Sequence, residues 1–123
     1  MPKILIVEDD NILSKALFEA LKEDESFEIE VEVNGGRAFQ RIKERKPDLI
    51  LLDLFLPEKP GEAVLAEIRG DEDLKNIPVL IATVKADKES RERCEHLGIS
   101  GYFVKSHHAL KEIVEEAKKI LTK

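Results

Sequence analysis

Three short segments of this chain are apolar without interruption: Ile4 to Val7, Leu49 to Leu52, and Val79 to Ala82 after Pro78. A strand with one wet face alternates in polarity, so a strand-length run lacking any polar position is covered on both faces. Strands of that kind belong to parallel sheets, where each crossover carries a helix and is right-handed. A fourth segment, FEIEVEV from Phe27 to Val33, does alternate, with Glu28, Glu30 and Glu32 on one face and Phe27, Ile29, Val31 and Val33 on the other. It reads as an edge strand whose acids discourage pairing with other chains. A fifth short strand, Tyr102 to Val104, follows the GISG turn from Gly98 to Gly101.

Helical patterns fill the gaps. Ile12, Leu13, Ala16, Leu17, Ala20 and Leu21 form one apolar stripe, and Leu110, Ile113, Val114, Ala117 and Leu121 form another near the end of the chain. The segments Ala38 to Arg45, Gly61 to Arg69 and Asp87 to Leu97 are less regular but are bounded by Gly, Pro or Asn. Strict alternation of strand and helix, βαβαβαβαβα, predicts a parallel sheet with helices on both faces. At 123 residues the expectation is one domain spanning 1–123.

Charge and composition remove several functions. Twenty basic against 26 acidic residues leave a formal charge of −6, which opposes the phosphate contacts that dominate nucleic-acid affinity, so no direct nucleic-acid partner is expected. No apolar run approaches the roughly 20 residues of a membrane span, and the start lacks a basic-then-apolar leader. A cytoplasmic protein with no membrane partner is expected. The single cysteine, Cys94, excludes an internal disulfide and a thiolate metal cage, and reads as a small apolar side chain on a helix.

In open α/β sheets the functional site lies outside the carboxyl ends of the strands. The residues there are Glu8 and Asp9 after the first strand, Asp53 after the third, Thr83 closing the fourth and Lys105 after the fifth. If the first and third strands are neighbours, about 4.8 Å apart, Glu8, Asp9 and Asp53 converge. Three carboxylates facing one ammonium make a negative pocket, and hard oxygen donors with no histidine or thiolate among them favour Mg²⁺, with Mn²⁺ as the substitute. A lone acid at a strand end is most often a helix cap, and that reading is given to Asp10 and Asn11.

The blocks ILIVEDD, PDLILLDLFLPEKPG, PVLIAT and GYFVK, in this order and spacing, resemble the response-regulator receiver domains of two-component signalling, and of these the stand-alone, chemotaxis-regulator type. The resemblance spans the whole chain. It implies a doubly wound, flavodoxin-like three-layer sandwich with strand order 2-1-3-4-5. It implies further that Asp53 accepts a phosphoryl group from a sensor histidine kinase or a phosphotransfer protein. Asp9, Asp53 and the backbone carbonyl of Phe55 would coordinate Mg²⁺, with Glu8 reaching the ion through water. Thr83 would hydrogen-bond the phosphoryl oxygens, Lys105 would pair with the phosphate, and Tyr102 would turn inward as Thr83 moves. Such a protein assists only its own phosphorylation and dephosphorylation, and its output passes to a downstream effector protein.

Three positions depart from that pattern. Val84 after Thr83 is bulkier than the usual alanine, serine or glycine and is expected to narrow access to the phosphoaspartate. Ser106 replaces a proline after Lys105, so a trans peptide is expected there, since a cis bond without proline costs about 2.5–4 kcal/mol. Pro60 stiffens the loop before Gly61. His107 and His108 read as solvated residues near the start of the last helix. The alternative is a degenerate receiver acting as a phosphorylation-independent adaptor, against which intact Asp53, Thr83 and Lys105 argue. An aspartate-nucleophile phosphatase would want a second acid where Phe55 stands, and a flavin carrier a phosphate loop of Ser, Thr and Gly where this chain has acids.

Overall fold

The computed structural model describes residues 1–23, 26–105 and 109–122, so the readings made for Ser106, its peptide bond, His107 and His108 lie outside the described residues. Strands β1 (Lys3–Val7), β2 (Glu28–Glu32), β3 (Leu49–Leu52), β4 (Val79–Thr83) and β5 (Gly101–Val104) alternate with helices α1 (Asn11–Lys22), α2 (Gly35–Arg45), α3 (Gly61–Arg69), α4 (Lys88–Leu97) and α5 (Ala109–Leu121). All neighbouring strands run parallel, in the expected order β2-β1-β3-β4-β5. The direction of winding reverses between β1 and β3, which opens the crevice where such sheets bind ligands.

The uninterrupted apolar runs are explained by two cores. Leu5, Val7, Ile50, Leu52, Val79 and Ile81 face α2, α3 and α4, whereas Ile4, Ile6, Leu49, Leu51, Leu80 and Ala82 face α1 and α5. Adjacent residues of one strand thus enter opposite cores, as the twofold period of a strand requires. The result is a three-layer sandwich with an almost fully buried sheet centre.

The local devices are legible one by one. Asp10 caps α1 by accepting from the Ile12 and Leu13 amides at 2.9 and 3.3 Å, and Asp87 caps α4 through the Ser90 amide at 3.0 Å. Helix α2 starts three residues before the sequence pattern suggests, because Asn34 accepts from the Gly36 amide at 2.7 Å and so makes the two glycines its first turn. The stripe of α1 is also shifted. Ile12 is 85% exposed, since the first turn rises past the strand ends, and the buried positions are Ser14, Leu17 and Leu21.

On the edge strand β2, the acid face is not simply solvated. Glu32 is buried, with Arg37 at 3.6 Å and Arg41 at 3.4 Å, and Glu30 meets Arg41 at 3.2 Å and Arg45 at 3.3 Å. These arginines are spaced four apart on α2, so one helix face roofs the acids of the strand.

Arg69 ties the opposite end of the fold together through backbone carbonyls. At the end of α3, its guanidinium donates to the carbonyls of Gly98 at 3.0 Å, Lys75 at 3.0 Å and Ile77 at 2.9 Å, joining the end of α4 to the loop that leads into β4. Burial lowers its pKa without threatening its charge. Replacing Arg69 with Met is expected to destabilise the fold by about 2 kcal/mol, because carbonyls on two elements lose a charged donor together. The urea midpoint at unchanged slope measures this.

Candidate functional site

The parallel register sets the site. Val7 lies opposite Leu52, so the next residues of the two strands, Glu8 and Asp53, leave the sheet side by side. Backbone bonds extend the ladder through them: the Asp53 amide donates to the Val7 carbonyl at 3.0 Å, and the Glu8 amide to the Glu32 carbonyl at 3.0 Å. On the far side, Thr83 pairs with Val104, and the Lys105 amide donates to the Thr83 carbonyl at 2.8 Å. Four residues named from the sequence, Glu8, Asp53, Thr83 and Lys105, therefore stand at one edge, tied to the sheet by backbone hydrogen bonds.

The ammonium of Lys105 stands between two acids, 2.8 Å from Glu8 Oε1 and 3.1 Å from Asp53 Oδ2. Glu8 and Asp53 are buried, at 2% and 3% exposure, whereas Asp9 beside them is exposed. One carboxylate oxygen from each of Glu8, Asp9 and Asp53 falls within 4.8 Å of the others. The donor chemistry fits a small hard cation: all three are carboxylates, one faces solvent to admit waters, and Lys105 balances only one of the charges.

Burial pushes the Glu8 carboxyl up to about 7, the Lys105 contact pulls it down, and the neighbouring Asp53 adds to the rise. For Lys105 burial opposes the charge, but the bonds to Glu8 and the field of both acids outweigh it and raise its pKa. Lys105 is therefore fully charged at neutral pH, while Glu8 is the acid that yields when positive charge runs short.

Around Asp53 the loop is fixed by close packing. The Phe55 amide donates to Asp53 Oδ1 at 3.3 Å, and the Gly61 amide to the Leu54 carbonyl at 2.9 Å. A methyl group on Gly61 would collide with the Asp53 carbonyl oxygen and sit 2.8 Å from Leu54 Cα. Glycine is thus what lets α3 begin against the Asp53 turn, a role that spacing alone does not reveal. Pro60 precedes it in extended conformation and supplies no side-chain cap.

Thr83 is fully buried, and its Oγ1 accepts from the Lys85 amide at 3.3 Å. Val84 follows it and is 60% exposed on the rim, with half-exposed Phe55 also on that edge of the sheet. Tyr102 is the residue expected to turn inward as Thr83 moves. It already points inward in this structure, packed with Ile81 and Cys94, and its hydroxyl donates to the Lys85 carbonyl at 2.6 Å. The hydroxyl has a backbone acceptor at the loop after β4, which holds the ring in the inward position. On α4, Ser90 and Cys94 are buried and Leu97 is half-buried, whereas Ala86 lies before the helix and is exposed.

The acidic cluster of Glu8, Asp9 and Asp53 at the carboxyl edge of this sheet fits a receiver-type phosphorylation site. The model of the response regulator receiver domain matches residues 4–118, and the chain belongs to that family. It is 37% identical over 105 residues to the polar-differentiation response regulator DivK of Brucella anthropi, covering 85% of each chain. Its structure is similar to that of the Mn²⁺-bound form of the response regulator Rcp1, with a TM-score of 0.87, 32% identity, and 97% and 93% of the two chains covered. The phosphorylated cyanobacterial phytochrome response regulator RcpA matches with a TM-score of 0.86 at 32% identity, covering 99% of this chain and 94% of that one.

The Glu8 shift carries a pH prediction for the metal-free protein. With a folded pKa of about 7 against an ordinary value of 4.5, between those pH values the folded chain holds a proton that the unfolded chain has released. Stability from this group is present below the unfolded value and is lost as pH rises through the folded one. Glu8→Gln is expected to flatten that part of the stability profile, measured by urea denaturation from acid to neutral pH in a chelator.

Proposed function

We propose that this receiver domain is a phosphorylation-dependent switch in two-component signalling, with Asp53 as the phosphoryl acceptor. The observation that carries the reading is the Lys105 ammonium bridging Glu8 and Asp53, with Asp9 open to solvent beside them. A carboxylate oxygen of Asp53 attacks phosphorus, the bond from phosphorus to a phosphohistidine nitrogen breaks, and the electron pair leaves with the imidazole. The donor is a sensor histidine kinase or a phosphotransfer protein.

Phosphoryl transfer asks for alignment and for neutralisation of the equatorial oxygens more than for covalent help. Asp9, Asp53 and the Phe55 carbonyl would hold Mg²⁺, or Mn²⁺ in its place, with Glu8 acting through water, and the ion would supply charge to those oxygens. Lys105 supplies the protein's own positive charge from the β5 side. The Thr83 hydroxyl, at the end of β4, is the donor for a phosphoryl oxygen. Its oxygen accepts from the Lys85 amide, and the Lys85 carbonyl accepts from Tyr102, so one residue of the loop after β4 touches both hydroxyls. The protein catalyses nothing beyond its own phosphorylation and dephosphorylation. Its output goes to an effector protein, and a location in the cytoplasm follows from the kinases that serve such domains.

Incubation with a small acyl phosphate and Mg²⁺ is expected to add one phosphoryl group by intact mass. The gain should vanish in Asp53→Asn and on chelation of the metal; equal labelling of the variant would refute the assignment. Val84→Ala is expected to shorten the phosphorylated lifetime, read from the decay of the same mass species, because it removes bulk from the rim.

A further inference from the structure

The loop between β3 and α3 carries the Phe55 carbonyl, and its tip is held by a separate part of the chain. The Gly61 amide donates to the Leu54 carbonyl at 2.9 Å, but that bond fixes only the ends of the loop. Phe55 is half-exposed, so burial of its ring does not anchor the carbonyl that follows. What fixes the tip is the junction between β2 and α2. The Gly35 amide donates to the Pro57 carbonyl at 3.1 Å, and the Asn34 side-chain nitrogen donates to the Glu58 carboxylate. A methyl group on Gly35 would collide with the Lys59 carbonyl oxygen, so the two segments meet backbone to backbone. Glu58 has φ of 69°, a left-handed conformation that a residue with a side chain keeps only where its surroundings impose it.

The same junction reaches the other side of the acidic cluster. The Glu32 carbonyl accepts from the Glu8 amide at 3.0 Å, and the buried Glu32 carboxylate accepts from the Asn34 amide at 3.0 Å. Asn34 also caps α2 by accepting from the Gly36 amide at 2.7 Å, which orients its side chain with the oxygen towards α2 and the nitrogen towards Glu58. Residues 32–35 thus run from the backbone that positions Glu8 to the loop that presents Phe55. None of them belongs to the cluster itself.

We propose that Asn34 is a positioning residue for the cation site: by holding Glu58 it fixes the loop on which the Phe55 carbonyl is presented. The proposal rests on the reading of Asp9, Asp53 and that carbonyl as the groups that hold the ion. A ligand carried on a loop weakens binding if the loop must be ordered when the ion arrives. The Asn34–Glu58 bond orders the loop when the chain folds.

The test is calorimetric titration of the unphosphorylated protein with Mg²⁺ in the unaltered chain, in Asn34→Asp, and in Asn34→Asp combined with Glu58→Gln. Aspartate caps a helix as well as asparagine does, so α2 keeps its start, but the donor to Glu58 becomes a second carboxylate oxygen. Asn34→Asp is expected to weaken Mg²⁺ binding about threefold, the effect of one solvent-exposed hydrogen bond to a charged acceptor. The added negative charge alone would attract the cation, so a loss of affinity reports the lost bond. The double variant carries the original net charge and the same pair with donor and acceptor exchanged, and is expected to bind as the unaltered chain does. Urea midpoints taken in a chelator separate this effect from a loss of folding. Unchanged or tighter Mg²⁺ binding in Asn34→Asp, whatever its midpoint, or a loss that the double variant does not recover, overturns the positioning role and leaves the Asp53 reading intact. No saturable Mg²⁺ binding by the unaltered chain overturns the cation-site reading and the proposal with it.

Discussion

Two carboxylates held side by side in a buried place, with one lysine between them, are the constraint on which the rest of this structure turns. Glu8 and Asp53 could relieve their repulsion by moving apart, by taking a proton or by gaining a cation. The first route is closed, because the Asp53 amide is bonded to the Val7 carbonyl and Gly61 packs directly on the Asp53 turn. The second appears in the raised pKa of Glu8. The third is partly met by Lys105, and exposed Asp9 leaves the remaining demand open to a small ion from solution. A site built this way accepts an anionic group most readily together with more positive charge.

The sandwich serves that constraint by rigidity. With both sheet faces buried, the strand ends are fixed to within the tolerance of a packed core, and the adaptable parts are confined to the loops at the carboxyl edge. Among these, the loop after β4 reaches furthest. It links Thr83 to Tyr102 through the two backbone groups of Lys85.

Much of this was legible in the sequence because it depends on period and position. Runs such as LILL at residues 49–52 admit one environment, and the polar residues that end them mark the site by topology alone. What escaped the sequence depends on where elements end in space. Ile12 fits the apolar stripe of α1 by spacing, yet its turn projects beyond the sheet and it is exposed. Glu32 alternates like a solvated acid, yet arginines from α2 roof it. Tyr102 was placed on the correct strand, but its hydroxyl meets the Lys85 carbonyl, 17 residues away in sequence. The Glu62 contacts with Lys85 and Arg93 join residues with no common motif, and only tertiary packing brings them together.

The central claim is that Glu8, Asp9 and Asp53 act as one cation site whose shortage of positive charge drives the switch. Calorimetric titration of the unphosphorylated protein with Mg²⁺ tests it most directly. One bound ion per chain is expected, with binding abolished or weakened by at least about tenfold in Asp9→Asn, which removes the solvent-facing ligand but leaves the Lys105 bridge untouched. Equal affinity in the variant, or no saturable binding in the unaltered chain, would contradict the account.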